Sequence, residues 1–192
     1  MLPILLACAA PDERPVPVDT GTLPPAEEPA LSLAVGEPPP DFALVDVNPS
    51  SGSAGQTLSV QGHSGAVSAW YFFQSACSYC SQQVFDLQRL QDELDAEVPE
   101  AGVQIVGVNR IGLEEYVADN MAGLSLPVLQ DTLSVSAWDT WMSNNRDLFI
   151  LDESGALVTI HLLSPPDEGG QGMVGSPENY AAVKALLLEA AQ

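Results

Sequence analysis

Runs of apolar residues predict the strands of a buried sheet. Residues 66–73 (AVSAWYFF) and 103–109 (VQIVGVN) are apolar almost throughout and have the length of strands, which is typical of strands covered on both faces. Residues 147–151 and 156–162 predict a hairpin with a turn at residues 152–155. Three shorter extended segments are predicted at residues 42–47, 57–60 and 126–129.

A different spacing of apolar residues predicts the helices. Apolar residues recur at intervals of three and four between Cys80 and Val98, as on the buried face of a helix, and Pro99 ends that segment. A final helix is predicted from Ser176, a favourable N-cap residue, with Pro177 in its first turn. Two short helices are predicted at residues 112–121 and 133–142.

The order of these elements predicts a fold of the thioredoxin type. A strand–helix–strand unit is followed by short helices, a hairpin and a last helix. The sequence CSYC, with Cys77 and Cys80, lies between the first core strand and its helix, as in thioredoxin-like redox motifs. We therefore expect an α/β domain over residues 36–192, with a central mixed sheet flanked by helices.

The N-terminal residues predict export and a lipid anchor. Residues 1–8 end in Leu-Leu-Ala-Cys, which resembles the lipobox of bacterial lipoproteins, so Cys8 would carry the lipid. Residues 9–35 are rich in proline and acidic residues, and such a linker cannot bury enough apolar surface to fold. No later segment has the roughly 20 apolar residues needed to span a bilayer. The alternatives are a membrane-anchored lipoprotein, periplasmic or on the cell surface, and a soluble chain in which Cys8 is incidental.

The charge of the chain excludes one class of partner. The sequence has 26 Asp and Glu residues against 5 Lys and Arg residues, a formal net charge of −21. Nucleic-acid binding requires many cations that neutralise phosphates, so this function is excluded. Attraction to an anionic lipid surface is disfavoured for the same reason. Membrane association is therefore expected through the lipid anchor only.

The two cysteines of the CSYC sequence are candidates for redox chemistry. Cys77 is expected at the start of a helix, where free N–H groups and a partial positive charge favour the thiolate, the nucleophilic form. Cys80 continues the buried helix face. We therefore expect Cys77 to attack a partner disulfide and Cys80 to resolve the mixed disulfide, with no cofactor.

Other interpretations of the pair stay open. A zinc site would need His63 and His161 as further ligands, but the spacing matches no zinc finger. A copper-binding module could use Cys77, Cys80 and His161, a soft ligand set. A purely structural disulfide is a third alternative. A peroxidase is a fourth, although one-cysteine peroxidases have a threonine three residues before the reactive cysteine, where this chain has Gln74.

Four stretches within residues 66–163 together resemble a known family. They are AWYFFQSACSYCSQQVFDLQRLQDEL, VQIVGVN, LPVLQDTLSVSAWDTW and RDLFILDESGALVTIHL. The run is similar to the N-terminal thioredoxin-like domain of selenoprotein P and, more broadly, to redoxins and TlpA-like tethered thiol–disulfide oxidoreductases. Matching positions are Cys77 (often selenocysteine in that family), Pro127, Val128, Trp138 and His161.

The resemblance implies an envelope enzyme whose partners are protein dithiols or disulfides and a redox protein that recharges it. One departure concerns the segment SNNRD, which precedes the predicted strand at Asp147 and lacks the cis-proline of most thioredoxins. Arg146 would lie beside the disulfide as a thiolate-stabilising cation, or would face solvent. His161 would be an auxiliary residue or a packed core residue, and His63, in a Gly- and Ser-rich loop, is expected in solvent. Four aromatic residues at 70–73 are expected in the core.

Overall fold

The computed structural model describes residues 33–192. The predicted signal, Cys8 and most of the predicted linker lie outside this range, so the lipobox and the domain boundary at residue 36 stay predictions. In the described part, no helix has the length and apolar character needed to cross a membrane.

A five-stranded mixed sheet forms the centre of the fold. The five strands are β3 (Ser68–Phe73), β4 (Gln104–Asn109), β5 (Val128–Gln130), β6 (Asp147–Leu151) and β7 (Leu157–Leu162). Their order in the sheet is β5-β4-β3-β6-β7. Strands β3, β4 and β5 run parallel to one another, and β6 and β7 are antiparallel to their neighbours. A separate antiparallel pair consists of β1 (Ala43–Val45) and β2 (Thr57–Ser59).

Four α-helices complete the described fold. They are α1 (Ser78–Glu97), α2 (Val117–Asn120), α3 (Ala137–Thr140) and α4 (Pro177–Ala190). Short 3-10 turns lie at Gln61–His63, Pro99–Ala101, Glu114–Tyr116 and Pro166–Glu168. The predicted class, a thioredoxin-like α/β domain with a mixed sheet flanked by helices, is confirmed.

Strand β3 is buried on both faces because its side chains alternate between two cores. Ala69, Tyr71 and Phe73 pack in the core that also contains the apolar faces of α1 and α4. Trp70 and Phe72 pack in the opposite core, which is dominated by aromatic rings. Both cores hold β3 in place, and β3 leads directly to the two cysteines of interest.

The aromatic core lies on the face of the sheet opposite α1. Phe72 contacts Trp138, Trp141 and Phe149, with ring centroids 5.0–5.6 Å apart within this group. These rings bury large apolar areas and pack mostly edge to face, the preferred arrangement of aromatic pairs. The prediction that residues 70–73 belong to the core is therefore confirmed.

The predicted ends of the two long helices agree with the structure. Helix α1 ends at Glu97, ahead of Pro99, and Gly102 adopts the left-handed conformation (φ 60°) after the following 3-10 turn. Helix α4 starts at Pro177, and the Ser176 hydroxyl accepts a hydrogen bond from the Asn179 N–H over 3.3 Å. Both ends therefore follow from local stop and cap signals.

Two local predictions need correction. The helix expected over residues 133–142 is limited to α3, because the Asp131 carboxylate accepts hydrogen bonds from the N–H groups of Ala137 and Trp138 and fixes its start. His63 was expected in solvent, but it is 8% exposed and its ring packs edge to face on Trp70 at 4.9 Å. Its Nδ1 lies 2.8 Å from the Ser59 carbonyl oxygen, so the loop folds back onto the aromatic core.

Candidate active site

Cys77 and Cys80 form a disulfide at the start of α1, with their Cα atoms 5.2 Å apart. Cys77 is the N-cap residue of the helix. Its Sγ accepts a hydrogen bond from the Cys80 backbone N–H over 3.3 Å. A sulfur at this position meets one of the free N–H groups of the first turn and the positive end of the helix dipole. The placement of Cys77 at the helix start, expected from the sequence, is confirmed.

Four hydrogen bonds of Ser75 hold the loop between β3 and α1 in place. The Ser75 N–H donates to Asn109 Oδ1 over 2.9 Å, and the Ser75 hydroxyl donates to the Leu113 carbonyl oxygen over 2.8 Å. The Ser75 carbonyl oxygen accepts from Asn120 Nδ2 (2.8 Å) and from the Ser81 hydroxyl (3.1 Å). Ser75 and Asn109 are both fully buried. This polar network joins the ends of β3 and β4 and fixes the position of the disulfide.

The two sulfur-bearing residues differ in exposure. Cys80 is fully buried at 0% exposure and belongs to the core between α1 and the sheet, whereas Cys77 is half-buried. Between them, Tyr79 is 68% exposed. Cys77 is therefore the more accessible of the two residues to an incoming partner.

Asn145 is a site residue that the sequence analysis missed. Its side-chain Nδ2 lies 3.2 Å from Cys80 Sγ, and its Oδ1 lies 3.5 Å from the same sulfur. Asn145 belongs to the segment before β6 in which the sequence lacks a proline, and residues 33–192 contain no cis peptide bond. The signal in the sequence was the polar pair Asn144 and Asn145, separated only by Arg146 from the buried strand β6.

Arg146 is partly buried and is paired with an acidic residue instead of facing solvent. Its backbone is left-handed (φ 79°), and its N–H donates to the Phe72 carbonyl oxygen over 2.7 Å. The side chain is 16% exposed, not solvent-facing, and forms an ion pair with Glu168. Its Nε is buried and has no hydrogen-bond partner within the described residues. Arg146 and Tyr79 line the same surface cavity, and the proposed role of Arg146 as a thiolate-stabilising cation stays a prediction.

Two buried acidic groups lie next to this segment. Burial raises the pKa of the Asp147 carboxyl, although the Asn144 N–H donates to it over 2.7 Å and acts in the opposite direction. Burial also raises the pKa of the Tyr71 hydroxyl, which accepts a hydrogen bond from Gln83 Nε2 over 3.2 Å. In both groups burial therefore disfavours the charged form, relative to the same group in water.

His161 is held by a core hydrogen bond. It is 5% exposed, and its Nε2 lies 2.7 Å from Asn179 Oδ1 on α4. Within residues 33–192, no group of three or more His, Cys, Asp or Glu side chains is arranged to hold a metal ion. The structure therefore does not bring His161 together with Cys77 and Cys80 as a ligand set.

A polar cavity lies at the carboxyl ends of the parallel strands. Its lining includes Arg110, Trp138 and Asn145. The Arg110 guanidinium lies over the Trp138 ring, 5.3 Å from its centroid. Trp138 is 7% exposed and packs in the aromatic core. Trp138 is therefore mainly a core residue that also lines this cavity.

A family comparison agrees with this geometry. The model of the AhpC/TSA family matches residues 35–160. The chain belongs to the AhpC/TSA family. Because this is a redoxin family, the chain is an oxidoreductase, as the sequence predicted. None of the curated proteins matches the chain in sequence.

Solved structures of bacterial oxidoreductases have the same fold as this AhpC/TSA member. A protein of Chlorobium tepidum described as a thiol:disulfide interchange protein DsbE is 19% identical, with a TM-score of 0.61 over 84% of this chain and 100% of the other. A thioredoxin-family thiol:disulfide interchange protein of the same organism is 18% identical, with a TM-score of 0.56 over 83% and 99%. The thioredoxin domain of a Bacteroides vulgatus thiol-disulfide oxidoreductase is 17% identical, with a TM-score of 0.54 over 81% and 99%. At these identities the similarity establishes the thioredoxin-like fold.

Proposed function

We propose that this AhpC/TSA member is a thiol–disulfide oxidoreductase in which Cys77 attacks and Cys80 resolves. The observation that carries the proposal is the disulfide at the start of α1, with one half-buried and one fully buried cysteine. The accessible sulfur is also the one that receives the backbone N–H of the helix start. Accessibility and thiolate stabilisation therefore coincide at Cys77.

The proposed cycle starts from the reduced protein. The Cys77 thiolate attacks one sulfur of a partner disulfide, forms a mixed disulfide, and releases the other partner sulfur as a thiolate that takes up a proton. The Cys80 thiolate then attacks Cys77 Sγ, which forms the internal disulfide and releases the second partner sulfur. The partner gains two electrons and the protein loses two. The reverse sequence oxidises a partner dithiol.

The partners we propose are proteins that contain dithiols or disulfides, together with a second redox protein that recharges Cys77 and Cys80. We propose an exported, lipid-anchored location for the domain over residues 36–192, with Cys8 as the anchor and residues 9–35 as the linker. The lipobox-like N-terminus supports this location. The similarity to selenoprotein P stays a prediction that rests on the quoted sequence stretches.

A trapping experiment tests the assignment of the two cysteines. Cys80→Ser leaves the attacking thiol but removes the resolving one, so this variant should accumulate mixed disulfides with partner proteins, visible on non-reducing gels and identified by mass spectrometry. Cys77→Ser should trap none. Cys8→Ser serves as the control, because it removes the proposed anchor and leaves both redox cysteines in place. If Cys77→Ser traps partners as well as Cys80→Ser does, the assignment of roles is wrong.

Peroxide reduction is the second candidate function for this AhpC/TSA member, because a thiolate at a helix start can attack a peroxide as well as a disulfide. It would use the same accessible Cys77. Consumption of hydrogen peroxide by the reduced protein, at a rate that disappears in Cys77→Ser, would support it. A copper-binding function is not favoured, since His161 is bonded to Asn179 and joins no metal-holding group in the described part.

A further inference from the structure

Asn145 places a side-chain amide against the buried sulfur of the redox pair. Its Nδ2 is 3.2 Å from Cys80 Sγ, within the range of a hydrogen bond to sulfur, and its Oδ1 is 3.5 Å away. Each sulfur thus has its own N–H donor: Cys77 Sγ accepts from the Cys80 backbone, and Cys80 Sγ from Asn145. The second donor comes from a loop 65 residues further along the chain.

The backbone on either side holds this amide in place. Residue 146 donates its N–H to the Phe72 carbonyl oxygen over 2.7 Å, which ties the loop to the end of β3. Residue 144 donates its N–H to the Asp147 carboxylate over 2.7 Å. Strand β6 then pairs with β3, with Leu148 opposite Tyr71. The contact with Cys80 is therefore set by the sheet itself.

Because Cys80 is buried, the hydrogen bond from Asn145 affects how stable its thiolate is. Cys80 is at 0% exposure, so water does not solvate its sulfur. A buried thiolate without a donor is costly. An amide can serve both protonation states of a thiol, because its N–H donates to the thiolate and its oxygen accepts from the S–H group. Leucine or alanine at position 145 would do neither.

We propose that Asn145 is a catalytic residue that stabilises the Cys80 thiolate. The inference rests on the proposed function, in which the Cys80 thiolate attacks Cys77 Sγ, the Cys77–Cys80 bond forms, and the partner sulfur leaves as a thiolate. In the reverse direction a partner thiolate attacks Cys77 Sγ, the Cys77–Cys80 bond breaks, and Cys80 leaves as the thiolate. Asn145 donates to the same anion in both directions.

A two-step assay isolates the Cys80 step. The reduced protein, with Cys8 replaced by serine so that only the redox pair carries thiols, is mixed with dithiobis-nitrobenzoate, an aromatic disulfide that releases a coloured thiolate. Attack by Cys77 releases the first thiolate and leaves the second bound to Cys77. Attack by Cys80 then releases the second thiolate. The two rates are measured separately over a range of pH for the wild type, Asn145→Leu and Asn145→Ala, with Asn144→Ala as the matched control.

The expected result is a shift of the pH profile of the second step alone. The hydrogen bond to the charged thiolate is stronger than the one to the neutral thiol, so loss of the amide should raise the midpoint of that profile by about one pH unit in both Asn145 variants. At neutral pH the second release should slow about threefold, because a more basic thiolate is scarcer but more nucleophilic. At high pH both variants should be as fast as the wild type or faster. The Asn144→Ala control should behave as the wild type.

Other outcomes distinguish an error in the inference about Asn145 from an error in the proposed function. An unchanged midpoint in both Asn145 variants overturns the inference about Asn145 and leaves the proposed function intact. A second step that is slower by the same factor at every pH indicates a purely structural role, and overturns it as well. A fast first release that persists when Cys77→Ser is added to the Cys8→Ser background shows that the proposed function itself is wrong.

Discussion

Replacing Asn109 with leucine should loosen the loop that carries the redox pair. Asn109 ends β4 and is fully buried. Its Oδ1 accepts from the Ser75 N–H over 2.9 Å, and its Nδ2 donates to Gln130 Oε1 over 2.7 Å and to the Leu113 carbonyl oxygen over 3.2 Å. Leucine has a similar size but can form none of these hydrogen bonds.

The loss of stability expected in Asn109→Leu comes from the buried groups that lose their hydrogen-bond partner. The Ser75 N–H and Gln130 Oε1 would each become buried and unsatisfied, while the Leu113 carbonyl oxygen keeps the Ser75 hydroxyl as a donor. An unsatisfied buried group costs about 1–3 kcal/mol, so Asn109→Leu should lower the free energy of unfolding by about 2–6 kcal/mol for the two groups together. That is a large part of the roughly 5–15 kcal/mol by which domains are stable.

Urea denaturation at equilibrium measures this loss, and alkylation of the reduced protein measures the effect on the loop. Asn109→Leu should shift the urea midpoint to a lower concentration and increase the alkylation rate of Cys80, which the loosened loop would expose. Gln104→Leu is the matched control, because Gln104 begins the same strand and is exposed. It should change the free energy of unfolding by less than about 0.5 kcal/mol. A similarly small change in Asn109→Leu, with Cys80 still protected, would refute the reasoning.

Three further predictions concern stability. Burial raises the folded-state pKa of Asp147, so its charged form is disfavoured in the folded protein, and Asp147→Asn should be more stable than the wild type at pH 7. This advantage should vanish as the pH falls below about 3.9, where the carboxyl is protonated in both states. Urea midpoints across that range test it, and an advantage that grows at low pH would contradict it. In Gly107→Val an added Cβ would lie 2.9 Å from the Phe73 ring, so the free energy of unfolding should fall by about 1–3 kcal/mol, measured by thermal denaturation. An unchanged Tm would show that the ring moves away freely. Ser176→Ala removes the cap of α4 and should cost about 0.5–2 kcal/mol by urea denaturation, whereas an unchanged midpoint would mean that the cap contributes nothing.

The sequence predicted those parts of the fold whose signals are local. Strand β6 was predicted with its observed bounds, and α4 with its observed cap, because a buried apolar run and a Ser-Pro start need no distant contact to be recognised. The position of Cys77 at a helix start followed from the periodicity of the apolar residues after it.

The features that the sequence did not predict depend on contacts between distant segments. His63 lies in a loop of Gly and Ser residues, and only the packing of its ring on Trp70 explains its burial. Asn145 reaches Cys80 because β6 pairs with β3, a register that no local pattern specifies. Arg146 is partly buried and forms an ion pair with Glu168, a residue beyond the hairpin. Side-chain roles at this site therefore required the tertiary structure.

The pH dependence of alkylation at Cys77 tests the central claim most directly. Cys77 is the only cysteine left in the double variant Cys8→Ser/Cys80→Ser, so the rate at which iodoacetamide modifies this variant in its reduced form follows the thiolate fraction of Cys77. Because that sulfur receives an N–H group at the start of α1, the midpoint of the rate profile should lie clearly below the value of about 8.5 for free cysteine. A midpoint at or above about 8.5 would show that the helix start does not activate Cys77 and would contradict the account.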